Sequence, residues 1–399
     1  MNEPTQLLKH SLQAMLFSVM ITTSAVAAEL TLAGLSFAGD YKTAKERFPY
    51  TFAIYDELNE LSKSKSGDRT LSNEILHRAK TLTNPLFEFK PLDTLTNLKN
   101  DQALMTTLVI TGETVSSENF GSYYKSFVNL RGDVLIFDYK NKTVVRSYPI
   151  SVLIFDATNS KPTHQDIASF VKNLLTREDG NGLISQYLRR IGTATLPVPG
   201  TRNVQIKSAA VAPEALALLP EGLRNDPKII EAMVSDAFGS IIAAKLGVPV
   251  LPNAIGHTLG TMSLRLENGD DIVLKIGEGD YLFDIKLTKL AKVKNGETNV
   301  GRSFVYGAYV NIHFYEPSLN TDFFNSDLKN GEIKVFPTGQ LTAEDFPSFE
   351  AAIRGLFLKF ADAIQNKDNK ESTWITTAAS AANVKEQVIK TREIIKATK

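Results

Sequence analysis

The 399-residue chain contains no cysteine. Disulfides, thiol nucleophiles, thiolate-bound zinc, iron–sulfur clusters and cysteine-linked lipid anchors are therefore excluded. No charge sign is in excess either, since 44 Lys and Arg stand against 44 Asp and Glu. A nucleic-acid protein wants a basic surface, so no nucleic-acid partner is expected. Histidine is scarce, and His10, His77, His164, His257 and His313 show no metal-ligand spacing. There is no Walker A sequence, and Gly277-x-Gly279 lacks the rest of a dinucleotide fingerprint. No cofactor and no metal are expected. What is present is globular composition, with 43% hydrophobic residues in a chain long enough to bury a core without covalent staples.

The amino terminus reads as a signal peptide, residues 1–28. Lys9 and His10 provide a weakly positive start, an uncharged apolar run extends from Leu12 to Ala28, and Glu29 is the next charge. Small residues at Ala25 and Ala27 place cleavage before Ala28 or Glu29. No later segment is apolar enough to span a bilayer as a helix, so no transmembrane anchor is expected. The expected location is periplasmic or secreted.

Hydrophobic periodicity predicts an α/β (α+β) fold. Two domains are expected, each with long antiparallel strands packed by helices: residues 29–195 and residues 201–399, the second ending in two helices. The link at Pro197-Val198-Pro199-Gly200 marks the boundary. The first half reads as a strand at Leu30–Phe37, helices after Pro49 and at Thr70–Leu82, then strands at Met105–Val115, Tyr123–Tyr139 and Thr143–Phe155. Thr163-x-x-Asp166 then opens a helix as a capping box. The second half repeats this order loosely, as a duplicated unit would. Asn203–Val211 is a strand, and a helix at Pro227–Leu246 has Asp226 at its N-cap and Gly247 past its end. Strands are predicted at Thr261–Leu266, Asp271–Ile276, Tyr281–Val293, Ser303–Tyr315 and Ile333–Phe336, and helices at Ser348–Gln365 and Thr373–Ile395.

Asp179-Gly180-Asn181-Gly182 matches the centre of an EF-hand calcium loop. Calcium needs carboxylates at the first and twelfth positions, and those are Arg177 and Leu188. Asp179 and Asn181 therefore belong to a degenerate loop, read as a turn. Gly256-His257-Thr258-Leu259-Gly260 outlines a nucleophile elbow, but a strand pattern follows it where an elbow needs a helix. Arg131-Gly132-Asp133 spells an adhesion tripeptide inside a strand-like run, where it would not be presented on a loop. Asn311, His313 and Tyr315 share the less apolar face of one strand. They form either an ordinary solvated sheet face or a ligand-contacting surface, and they are the candidate binding residues.

An amphipathic helix, Leu108-Val-Ile-Thr-Gly-Glu113 and then Leu135-Ile-Phe-Asp-Tyr-Lys-Asn-Lys-Thr-Val-Val145 resembles small α/β domains of bacterial envelope-assembly proteins. Examples are the amino-terminal domain of the Tol-system propeller protein and domains of the curli-secretion channel family. The resemblance carries no diagnostic motif and implies at most a role in envelope binding. The leading expectation is an exported, non-enzymatic binding or cell-envelope assembly protein, with an envelope protein or a small ligand as partner. The alternative is an exported hydrolase with a carboxylate- or serine-based site between the two domains.

Overall fold

Local signals place several elements where periodicity puts them. A computed structural model describes residues 27–64, 70–92, 103–252, 261–266, 269, 271–338, 340, 343–365 and 370–399. The leader through residue 26, the Gly256–Gly260 motif and the turn at Glu267, Asn268 and Asp270 lie outside them. The strands are β1 (Ala28–Ala38), β2 (Phe87–Pro91), β3 (Leu104–Asn119), β4 (Tyr124–Asp138), β5 (Thr143–Thr158), β6 (Val204–Val211), β7 (Val250–Leu251), β8 (Thr261–Arg265), β9 (Asp271–Lys275), β10 (Tyr281–Thr298), β11 (Gly301–Glu316) and β12 (Thr321–Pro337). The longer helices are α1 (Pro49–Ser64), α2 (Leu71–Ala79), α3 (His164–Thr176), α4 (Leu183–Thr193), α5 (Pro227–Leu246), α6 (Asp345–Gln365), α7 (Lys370–Ala378) and α8 (Val384–Ala397).

The helix ends follow their caps. The Asp166 N–H donates to Thr163 Oγ1 at 3.2 Å and the Thr163 N–H returns a bond to Asp166 Oδ2 at 2.8 Å, closing the capping box of α3. At α5 the Asp226 carboxylate accepts from the Lys228 N–H, and Gly247 ends the helix at φ 66°.

The protein is mixed α/β, with two mixed sheets packed by helices. The first sheet runs β2-β1-β3-β4-β5-β9-β8 and the second β12-β11-β10-β6-β7. Their cores share one order. In the first, β1 is parallel to β2 and β3, and β3, β4 and β5 form an antiparallel meander. In the second, β6 is parallel to β7 and β10, and β10, β11 and β12 form the meander. Among the described residues the hairpin β8–β9 has no counterpart in the first half. It crosses back to the first sheet, pairing Ala38 with Leu264 and Thr143 with Lys275. The strands β1, β3, β4, β5, β9 and β8 thereby close into a ring filled by Met105, Val109, Leu135, Phe137, Met262 and Leu274.

Helices α1–α4 bury one face of the first sheet. Helix α5 lies between the two sheets, packed on β5 and on β6. Gly239 is the close approach: a Cβ there would meet Ile206 Cδ1 at 2.9 Å and Pro149 Cγ at 3.1 Å. Helices α6 and α8 cover one face of the second sheet, over Tyr306, Ala308, Val310, Ile312 and Phe314 of β11.

Several elements differ from their sequence pattern, two of them in the second half at β12 and in the closing helices. β12 begins at Thr321, twelve residues before the predicted Ile333, because Asp322–Lys329 alternates polar residues around Phe324, Ser326 and Leu328 rather than around a continuous apolar face. The predicted Thr373–Ile395 helix is two helices, broken where Ser380 leaves the helix to bond the edge of β12: its N–H donates to the Asp327 carbonyl at 2.9 Å.

Candidate functional site

Strand alternation sends Phe304 through Phe314 under the helices and turns Tyr309, Asn311, His313 and Tyr315 to the opposite face of β11. Tyr309, Asn311, His313 and Tyr315 are half-buried there, and α7 borders the face on its β12 side, where Trp374, Thr377 and Ala378 share a cavity of about 360 Å³ with Val305, Gly307 and Tyr309. The three candidate residues therefore lie together, and the flanking strands give each a carboxylate partner. Asn311 Nδ2 donates to Asp327 Oδ1 at 3.0 Å. His313 Nε2 lies 2.7 Å from Asp322 Oδ1. The His313 ring stacks on Tyr315 at 4.4 Å between centroids. Asp284, directly across from His313 in the β10 register, accepts a hydrogen bond from the Ser208 hydroxyl and bonds the Tyr315 phenol. Burial and that carboxylate push the phenol up to about 12, so Tyr315 is a neutral donor at any physiological pH.

Asp284, Asp322 and Asp327 are the neighbours of the candidate residues that sequence reasoning missed. Asp322 and Asp327 sit in the stretch of β12 that shows no apolar alternation on both sides, so register with β11 alone brings them in. Among the described residues no group of three or more His, Asp or Glu side chains is placed to hold a metal ion.

Beyond the β10 bulge at Leu287/Lys289 the same face changes character. Lys289 lies over the Tyr309 ring at 5.8 Å. Ala291, Gly307 and Gly331 then align across the three strands, followed by Val293, Val305 and Ile333. Val293 is 60% exposed, Ile333 62% and Val335 67%. The face thus runs from an acidic, aromatic end to a bare aliphatic end.

The other motifs have structural roles. In the Asp179 loop, the Arg177 guanidinium bonds the carboxylate, Asn181 N–H donates to Asp179 Oδ1 at 2.9 Å, and these bonds hold the acid below its usual range. Arg131 and Asp133 are buried, not presented. Arg131 Nε lies 2.9 Å from Asp236 of α5 without hydrogen-bond alignment, while its Nη1 donates to Thr114 Oγ1 at 3.0 Å. The guanidinium crosses Gly112, where a Cβ would sit 2.2 Å from Nη2. Asp133 is pushed up to about 7, by burial first and then by Asp236. Glu350 of α6 is also raised to about 7, by burial, against the lowering pull of Arg354. The two raised carboxyls lie on separate elements, β4 and α6.

No family model matches the chain, and no curated protein matches it. Among solved structures, the chain is similar to a minor lipoprotein from Acinetobacter baumannii at 14% identity and a TM-score of 0.23, over 43% of this chain and 98% of that one. It is also similar to a neuraminyllactose-binding hemagglutinin homolog from Helicobacter pylori at 10% identity and a TM-score of 0.17, over 41% of this chain and 90% of that one. Likenesses at this level carry no argument about fold or function. Among the described residues no helix is long and apolar enough to cross a membrane.

Proposed function

We propose that this chain is an exported, non-enzymatic binding protein of the cell envelope, with the face of β10, β11 and β12 that carries Val305 and His313 as its contact surface. One observation carries the reading. Val293, Val305 and Ile333 stand in register across three strands, with Val293 60% and Ile333 62% exposed. An aligned aliphatic row left in water costs solvation free energy that a docked protein partner recovers. The polar end, with Asn311, His313, Tyr315 and their carboxylate partners, supplies the directional bonds that a rim of aliphatic contacts lacks. The edge of β12 carries Lys329, Lys334 and Pro337, which discourage a second strand from pairing there. Docking onto the face is therefore favoured over strand addition at the edge.

The test is site-specific photo-crosslinking in cells, with the reactive residue at Val305 or Ile333 and a control at the exposed Ile389 of α8. A discrete adduct from 305 and 333, absent from 389, supports the reading. No adduct, or equal adducts from all three positions, overturns it. The exported form should begin at Ala28 or Glu29 by N-terminal sequencing, and an intact Met1 on it would remove the localisation.

A further inference from the structure

A second surface, unrelated to the sheet face, collects charge. A cleft of about 290 Å³ lies over the outer edge of β5 at Pro149, Ile150 and Ser151, walled by α4 from the first half and by α5 and α6 from the second. Four cations line it: Arg189 and Arg190 of α4, Lys245 of α5 and Arg354 of α6. Among the described residues no carboxylate lines it. The chain as a whole is neutral, so tertiary structure has concentrated this charge. Taken helix by helix, Arg190 and Lys245 are ordinary last-turn cations that complement the helix dipole. Ordinary last-turn cations point into water, where repulsion between them is screened. Here two helix ends and the flank of a third helix bring theirs to one cleft.

Internal partners neutralise this charge only in part. Lys245 Nζ bonds Asp362 Oδ1 at 3.0 Å. Arg354 approaches Glu350 at 3.8 Å, and that carboxyl holds its proton to about pH 7. Arg189 Nη2 donates to the Gly180 carbonyl at 3.3 Å. The Arg190 guanidinium forms no hydrogen bond or ion pair with any described residue, although burial and Arg189 both work against its charge. It lies near Tyr148, as does Arg146, a fully buried arginine whose Nε and Nη1 also lack partners among the described residues. Arg190 itself is half-buried, and an unpaired, partly desolvated guanidinium is what a bound oxyanion would satisfy.

We propose that this cleft binds a small soluble polyanion carrying two or more phosphate-type charges, with Arg190 and Arg354 as its principal contacts and Lys245 and Arg189 as flanking charge. Two guanidinia lining one cleft match the paired oxygens of phosphoryl groups, and the volume suits a compact ligand better than an extended chain. Ser151 lines the same wall, its Oγ accepting from Asn129 Nδ2 at 3.0 Å and its own proton left for a ligand oxygen, whereas the Ser240 hydroxyl already donates to the Ala237 carbonyl.

The test uses the full-length processed protein with pyrophosphate as the probe, read by thermal shift and calorimetry, with sodium chloride at equal ionic strength as the control. Pyrophosphate should raise the melting temperature where the control salt does not. Arg190→Gln should weaken binding about tenfold or more, the usual worth of a charge-assisted bond. The same substitution should raise the melting temperature of the ligand-free protein, because it removes an unpaired, half-buried cation beside Arg189. A purely structural Arg190 would give the opposite sign. Arg354→Gln should weaken binding by a similar factor. The proposal is overturned if millimolar pyrophosphate gives no shift beyond the salt control, or if neither glutamine variant changes the affinity. It is also overturned if the wild type binds phosphatidylglycerol vesicles through Arg190 and ignores pyrophosphate, which would assign the cleft to a lipid headgroup.

Discussion

Asp133→Asn should make the protein more stable at neutral and alkaline pH, although it alters a buried residue at the junction of the two halves. Asp133 lies on β4 beneath α5, and burial together with Asp236 raises its carboxyl from 3.8 to about 7. Below about pH 4 the group is protonated in both folded and unfolded chains and exerts no effect. Between about pH 4 and 7 the unfolded chain gives up this proton while the folded chain keeps it. Folding stability therefore falls with rising pH across that window and levels off above it. At ~1.4 kcal/mol per unit, the loss attributable to Asp133 is about 4 kcal/mol. Asparagine cannot ionise, keeps an oxygen for the Ser147 hydroxyl at 3.5 Å, and places no second negative charge beside Asp236. Urea unfolding at pH 5 and pH 8 reads the effect. The wild type should lose stability across that interval and the variant should lose several kcal/mol less. Glu350→Gln, at the second carboxyl raised to about 7, should remove a separate part of the slope with the same sign. A wild type that gains stability with pH through this window, or an Asp133→Asn variant that keeps the full wild-type slope, would refute the reasoning.

Two further outcomes follow from the same region and from the Asp179 loop. Gly112→Ala places a methyl 2.2 Å from the Arg131 guanidinium and should displace it from Thr114 and Asp236. The expected cost is about 1–3 kcal/mol, the usual range for overpacking, and an unchanged melting temperature would show that Arg131 relocates freely. Calcium should give no calorimetric heat with the wild type, because Arg177 already holds the Asp179 carboxylate; a micromolar site lost in Asp179→Ala would contradict this.

Elements whose cause is local are legible in the amino-acid sequence. The Asp226, Pro227 and Gly247 punctuation bounds α5, and Thr163 with Asp166 opens α3, because each cap depends on residues only a few positions apart. Alternation puts Asn311, His313 and Tyr315 on one face of β11 for the same reason, since side-chain direction is a property of the strand. Their partners are not legible in this way. Asp322 and Asp327 belong to a polar-rich half of β12 that forms a strand because β11 offers it a ladder, not because of its own pattern. Asn84–Pro91 likewise reads as a Pro-punctuated link, and Phe87–Pro91 within it becomes a short strand only by pairing with β1.

The absences of cysteine and of net charge bear on the same division. Composition by itself determined that no cysteine chemistry is available and that the chain carries no net charge. It could not determine where that balanced charge would go. Tertiary structure set Arg131 against Asp236 beneath α5, turned Arg189, Arg190, Lys245 and Arg354 into one cleft, and returned the β8–β9 hairpin to the opposite sheet. Periodicity and caps act over one turn of helix or one pleat of strand. Charge clusters, registers and crossovers join residues far apart in the chain, and only the packing of one half against the other decides them.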